Sequence, residues 1–232
     1  MTEFILDSFN FEIDIPTMKE KLHVKDVDQL SDQLEYIVSQ SEKECRPKAI
    51  YQPFDIEERG DDFVIIGGEI FKSRVLAVNL KDVDRVFVFI ATCGIEIDNQ
   101  AKATDDILFK YWIDHIQNLA LEKAILKVQL SIEKEFNPGA RAIMTPGSID
   151  DWPLTEQRKL FSVFGDRSKT IDVELSDSNM MLPVKSLSGI IFPSEHNYLD
   201  CQLCTIEKCP NRMAPYEHAL YETHYQIKGK CS

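Results

Sequence analysis

The chain has 232 residues, enough for one large domain or two small ones with a real buried core. Its 26 basic and 39 acidic residues leave a formal net charge of −13, which excludes nucleic-acid binding through a general phosphate-neutralising surface and fits a neutral, basic or small partner. No run approaches the ~20 apolar residues of a membrane span, and the start, Met-Thr-Glu-Phe-Ile-Leu-Asp, lacks the basic opening and apolar run of a secretory signal, so a cytoplasmic protein is expected.

Residues 1–15 alternate, with Phe4, Leu6, Phe9, Phe11, Ile13 and Ile15 apolar, and read as a strand or extended arm ended by Pro16. The spacing of Val27, Leu30, Leu34, Ile37 and Val38 predicts an amphipathic helix over 24–45. Residues 48–56 read as extended and 63–66 as a strand, while 70–80 begins as helix and then alternates. Residues 85–92 are apolar on both faces, as expected of a strand in the middle of a sheet. A long helix with one break is expected over 101–136, its start marked by Asp105 and Asp106 and its end by Pro138-Gly139. Ala120 and Ala124 leave room for close approach, and Leu126 and Leu130 count toward the apolar period.

The segment 144–164 carries the main candidate site. Pro146-Gly147 is a turn, Pro153 suits the first position of a helix, and Leu154, Gln157, Leu160, Phe161 and Phe164 fall near one helical face. A proline-glycine loop feeding a helix start aims backbone amides outward and can hold a carboxylate or another anion. The plainer reading is a connecting loop with a buried Trp152. Strands are expected at 171–175, 180–185 and 189–193, and a short helix at 214–225. Without a steady β-α alternation the fold class is α+β: a largely antiparallel sheet with helices against it. The chain divides into an N-terminal arm and helix (1–47), an α+β core (48–200) and a cysteine-rich tail (201–232).

Cys201, Cys204 and Cys209 form a Cys-x2-Cys-x4-Cys-Pro run. Two thiolates two residues apart reach one metal from a single turn, and the third follows after a short loop, as in iron–sulfur ligand runs; zinc uses the same sulfur geometry. A fourth ligand is sought among Cys93, Cys231, His218 and an external group, with Cys93 and Cys231 favoured. Cys93 taken alone, and Cys45, read as small buried hydrophobes, and the plain alternative for the tail is three solvent-facing thiols. Asp150 and Asp151 are adjacent and point apart. There is no paired-histidine, phosphate-loop or nucleophile-elbow pattern, so no self-contained catalytic centre is expected.

Pro146-Gly147-Ser148, Asp151-Trp152-Pro153-Leu154, Glu156-Gln157 and Leu160-Phe161 together resemble the activation domain of cobalamin-dependent methionine synthase. Supporting likeness lies at Ala91-Thr92-Cys93-Gly94, at 178–183 and at 185–189. The resemblance implies a twisted antiparallel sheet flanked by helices. It implies an accessory protein for reductive reactivation, which docks over the cobalamin module of methionine synthase or another corrinoid protein and contacts cobalamin through that partner. It also implies a cofactor site at Pro146, Gly147, Ser148 and Trp152, with Tyr198 and Glu122 as counterparts of a family tyrosine and acid. The family's arginine before the turn falls at Ile143, its tyrosine after the turn at Ser148, and Arg141 is out of register. Loss of that bidentate carboxylate partner speaks against S-adenosylmethionine. The cysteine run is not part of the family pattern; the redox chemistry of the implied partner favours an iron–sulfur electron carrier over zinc. Two other readings stand beside this one: a non-catalytic corrinoid-protein partner with a structural zinc and no S-adenosylmethionine site, and a small-molecule enzyme on a borrowed fold.

Overall fold

The computed structural model describes residues 4–7, 10–24, 27–195, 198–209 and 211–226. In chain order the elements are β1 (Phe4–Leu6), α1 (Ile15–Lys21), α2 (Asp28–Glu44), β2 (Lys48–Arg59), β3 (Phe63–Ile66), β4 (Glu69–Lys72), α3 (Arg74–Asn79), β5 (Arg85–Thr92), α4 (Ile95–Ala103), α5 (Ile107–Phe136), β6 (Arg141–Met144), α6 (Gln157–Phe164), β7 (Glu174–Leu175), β8 (Met181–Leu182) and β9 (Ser186–Pro193). The fold is α+β. Seven strands form one sheet in the order β4-β3-β2-β5-β9-β6, with β1 also paired to β2, and β7 and β8 form a separate pair. Every pairing among these strands is antiparallel.

The alternation of β-strand side chains sorts the core into two faces. Val86, Val88 and Ile90 of β5, with Ile190 and Phe192 of β9, face α3, α6 and Trp152. Phe87, Phe89 and Ala91, with Tyr51 and Ile191, face Ala124, Val128 and Ile132 of α5. β5 lies between β2 and β9 and is buried at every position but Arg85, which is why it is apolar on both sides. A third cluster joins α1, α2 and α4 to Trp112, Ile116 and Ala120 of α5, and holds Cys45 and Cys93.

Several sequence expectations change. Pro16 does not end an extended arm; it opens α1, whose first turn Asp14 caps by accepting from the Thr17 amide. The segment 70–80 has its order reversed, strand β4 first and helix α3 second, with Ser73 as N-cap. The long helix breaks at Thr104, and Asp106 restarts it by accepting from the amides of Leu108 and Phe109. Leu126 and Leu130 are each 53 % exposed, outside the buried stripe. The C-terminal helix shrinks to one π-turn, Tyr221–Tyr225.

Gly189 decides how close the next segment comes. A Cβ there would lie 2.4 Å from the Met144 carbonyl and 3.0 Å from Thr145 Cγ2. Its absence lets the end of β6, and the turn that follows, sit directly on β9.

Candidate functional site

The turn after β6 is a corner whose surroundings come from three parts of the chain. Pro146 is buried and Gly147 is exposed with φ +85, a left-handed conformation that favours glycine. The Gly147 amide donates to the Trp152 carbonyl at 2.8 Å, Ser148 N–H to Thr145 O at 3.2 Å, and Trp152 N–H to Ile149 O at 3.2 Å. The expectation of amides aimed outward is therefore corrected: the corner closes on itself because Trp152 O lies within reach of its glycine. Trp152 is fully buried and meets Phe71 edge-on, with ring centroids 6.4 Å apart. Its indole Nε1 has no hydrogen-bond partner.

The amide at the entrance to the corner is used differently. Thr145 N–H donates to Asp200 Oδ2 at 3.1 Å, and Thr145 Oγ1 donates to the same oxygen at 3.2 Å. Ser148 Oγ hydrogen-bonds Thr145 Oγ1. A carboxylate is thus bound at the corner, but it belongs to the chain's own C-terminal segment. Burial pushes Asp200 up to about 6 against the pull of the Thr145 amide and the nearby Tyr198, Thr145 and Ser148 hydroxyls. Burial first, then the neighbouring Asp200 carboxylate, push the Tyr198 phenol far above its ordinary value. Neither the Tyr198 hydroxyl nor Asp200 Oδ1 has a hydrogen bond of normal geometry. Orphaned buried polar atoms cost roughly 1–3 kcal/mol each, so this junction is polar, buried and incompletely satisfied.

The same segment is tied to α3 and to the far side of the corner. Asp151 Oδ2 accepts from Ser73 Oγ and from the Val75 amide at 2.9 Å, and Asp151 Oδ1 accepts from the Tyr221 hydroxyl at 3.2 Å. Tyr225 donates to Asn79 Oδ1 at 3.0 Å, while Arg74 Nε donates to Tyr225 O at 2.7 Å. Two cavities lie between Asp151 and the segment, and neither is lined by Thr145, Gly147 or Asp200. One of about 410 Å³ is lined by Ser73, Arg74, Asp151, Tyr221 and Tyr225. The other, of about 390 Å³, is lined by Val75, Ile149, Asp151, Leu203, Tyr216 and Tyr221. A groove of about 1300 Å³ reaches Tyr198 from the other side, past Asn79, Arg85, Gly139 and Gln202.

The residues singled out from sequence separate into groups. Pro146, Gly147, Ser148, Trp152 and Tyr198 do come together at this end of the sheet. Glu122 does not join them: it is exposed on α5, which packs on the opposite face of the sheet from Trp152. Ile143 packs toward the α5 face, and Arg141 is ion-paired with Glu133, so neither position offers a free guanidinium to the turn. Cys93 is fully buried beside Cys45 in the helical cluster, away from the tail, because it ends a central strand. Burial pushes the Cys45 thiol up to about 12 and the Cys93 thiol further still.

Cys201, Cys204 and Cys209 are half-buried free thiols or nearly so, and Cys231 lies outside the described residues. Arg212 organises their loop. Its guanidinium donates to the carbonyls of Cys201 at 2.9 Å, Ala214 at 3.1 Å and Cys204 at 3.0 Å, and also to Ile206. The Met213 amide donates to Cys201 Sγ at 3.4 Å. Among the described residues, no three histidine, cysteine, aspartate or glutamate side chains are gathered to hold a metal. Sequence reasoning gave no site role to Asp200, Thr145 or Arg212, and took Asp151 only as one of two adjacent acids that point apart and as part of the loop motif. Nothing local marks Asp200, Thr145 or the bonding role of Asp151, because their partners lie far along the chain; Arg212, three residues after Cys209, was the nearest to a signal.

No family model matches the chain, and no curated protein matches it by sequence. Among solved structures it is similar to one described as the crystal structure of the MetH reactivation domain bound to AdoHcy, with a TM-score of 0.65 and 14 % sequence identity over 86 % of this chain and 81 % of that one. At this identity the likeness establishes the fold. No helix among the described residues is long and apolar enough to cross a membrane.

Proposed function

We propose that this chain is an accessory protein for reductive reactivation of a cobalamin-dependent methyltransferase, methionine synthase in the first instance, and that it works in the cytosol by docking over the corrinoid module. The observation that carries this reading is the match of 86 % of the chain to the MetH reactivation domain fold, with the Pro146-Gly147 corner at the edge of the sheet. The loop 145–152 faces the corrin in this reading, and the chain's own chemistry is binding and positioning: the corner already holds a carboxylate on the Thr145 amide. That is the group an S-adenosyl amino acid would present, so the ligand named with the neighbouring structure is retained as a candidate here. The test mixes the purified chain with a cob(II)alamin-loaded corrinoid module, a reductant and S-adenosylmethionine, and follows the visible spectrum. Faster conversion to methylcobalamin than without the chain is expected; an unchanged rate with no complex on size exclusion removes the role.

The finer proposal concerns the tail. Cys201, Cys204 and Cys209 take up an iron–sulfur cluster, or zinc, when the loop pinned by Arg212 rearranges. Support comes from their spacing and from the Met213 amide already directed at a sulfur. As they stand, the thiols are not gathered, and no electron-transfer step is derived from them. Anaerobic purification with iron and sulfide assays distinguishes the cases; a colourless protein whose only metal is zinc removes an electron-carrier role.

The second reading is a non-catalytic corrinoid-protein partner with a structural zinc and no S-adenosylmethionine site. Ile143 at the arginine position, with Arg141 committed to Glu133, favours it. Calorimetric silence with S-adenosylmethionine at millimolar concentration, together with retained corrinoid-module binding, would select it.

A further inference from the structure

The corner's entrance amide has a single proton to give, and Thr145 gives it to Asp200. The segment that delivers this carboxylate is lightly anchored. Of the described residues in 198–226, only Tyr198 and Tyr225 are buried; the rest are partly or fully exposed. Asp200 has no ion-pair partner among the described residues, and its second oxygen and the nearby Tyr198 hydroxyl make no hydrogen bond of normal geometry. Its other ties to the body are the hydrogen bonds of Tyr221 to Asp151, Tyr225 to Asn79 and Arg74 to the Tyr225 carbonyl, with Leu203 and Leu220 partly buried against the core. Both smaller cavities lie beyond Thr145, between Asp151 and this segment, with Tyr221 in the lining of each. A second carboxylate arriving at Thr145 would meet Asp200 head-on, and two like charges cannot share one amide in a buried site.

We propose that residues 198–226 form an autoinhibitory latch, in which the Asp200 carboxylate occupies the place of a ligand's carboxylate on Thr145 and has to be displaced before such a ligand binds. This rests on the reading of the corner as a ligand site. The latch confers selectivity as well as restraint. It opposes ligands through their carboxylate, and leaves a ligand without one to bind or fail on its other groups.

The test is calorimetry on the full chain, comparing wild type with Asp200→Ala and Asp200→Asn. The two probes are S-adenosylhomocysteine and 5′-methylthioadenosine, which keeps the adenosine thioether and lacks the amino-acid carboxylate. Thermal melts establish that each variant is folded, and the isosteric Asp200→Asn stands in if the alanine variant is not. The expected result is S-adenosylhomocysteine binding at least tenfold tighter in the variants, with methylthioadenosine affinity unchanged. S-adenosylhomocysteine affinity that is unchanged or weaker overturns the latch while leaving the ligand site standing. Equal tightening of both probes also overturns it, because Asp200 would then be excluding ligands in general. If no form of the protein binds S-adenosylhomocysteine at millimolar concentration, the ligand-site reading fails and takes the latch with it.

Discussion

Two of the strands in this sheet that run into a glycine of positive φ, β5 and β6, do so in opposite surroundings. β5 passes through Thr92 and Cys93 to Gly94, at φ +97; β6 passes through Thr145 and Pro146 to Gly147, at φ +85. The first step is packed shut. Cys93 is fully buried beside Cys45, the Gly94 amide is held by Thr92 Oγ1, and a Cβ at Gly94 would sit 2.4 Å from the Arg46 carbonyl. The second step holds a carboxylate lent by the C-terminal segment, with the unpartnered Trp152 indole and the Tyr198 hydroxyl in the same region, and two cavities open further along the loop at Asp151. The same local device serves stability after a central strand and leaves a polar, unfinished junction after the edge strand. What separates a structural turn from a candidate site here is the set of groups brought to it from elsewhere in the chain.

Alanine at each glycine measures that contrast directly. At position 94 the new Cβ meets backbone, which cannot move aside, and the left-handed φ adds strain, so Gly94→Ala should lose about 3–4 kcal/mol of unfolding free energy. At position 147 the nearest atom is Leu154 Cδ1 at 3.2 Å, the end of a side chain that is 36 % exposed and free to shift. Gly147→Ala should lose about 1–2 kcal/mol, the conformational strain alone. Urea unfolding of both variants decides it; equal losses would mean that the second corner is as tightly built as the first.

The contrast was only half legible beforehand. β5 announced itself, since a strand apolar on both faces has to be central, and α2 was marked by its apolar stripe. The sharp turn at Pro146-Gly147 and the buried Trp152 follow from local chemistry. The direction of the corner's amides does not, because it depends on Trp152 O lying five residues on, at 2.8 Å. Asp200 could not be linked to Thr145, 55 residues away, by any spacing rule. Its place beside Cys201 drew attention to sulfur instead. Ile70 and Phe71 fit a helix or a strand equally well in so short a stretch, and pairing with β3 settled it.

The closed step after β5 also makes a pH prediction. The ordinary thiol value is 9.0; burial raises Cys45 to about 12, with Cys93 raised further. Both folded values lie above the unfolded ones, so the stability they confer is fully present below about pH 8.5–9 and is lost as pH rises toward the folded values. Unfolding then releases protons that the native state retains. Two thiols should remove roughly 2 kcal/mol between pH 9 and 10. Phenols with raised values, Tyr51 and Tyr225 among them, add to the slope above pH 10. Urea midpoints at pH 8, 9 and 10 measure the fall, and a Cys45→Ala/Cys93→Ala double variant should flatten it over that first unit. An equally steep fall in the double variant would show that the thiols are not sealed in.

The smallest global effect belongs to the segment that covers the step after β6. Arg212 holds the carbonyls of Cys201, Cys204, Ile206 and Ala214, but the loop it binds is largely exposed, so water can take over each of them. Arg212→Ala should therefore change the urea midpoint by less than about 1 kcal/mol. Arg212→Lys should behave in the same way, because one ammonium cannot span four acceptors as the planar guanidinium does. The local consequence should be much larger: hydrogen exchange across 201–214 should speed up, with β5 and β9 unaffected. A variant that unfolds globally at clearly lower urea would place the tail inside the cooperative core. In that event the segment over Thr145 could not leave without unmaking the fold, and the division between a sealed step and an openable one would have to be abandoned.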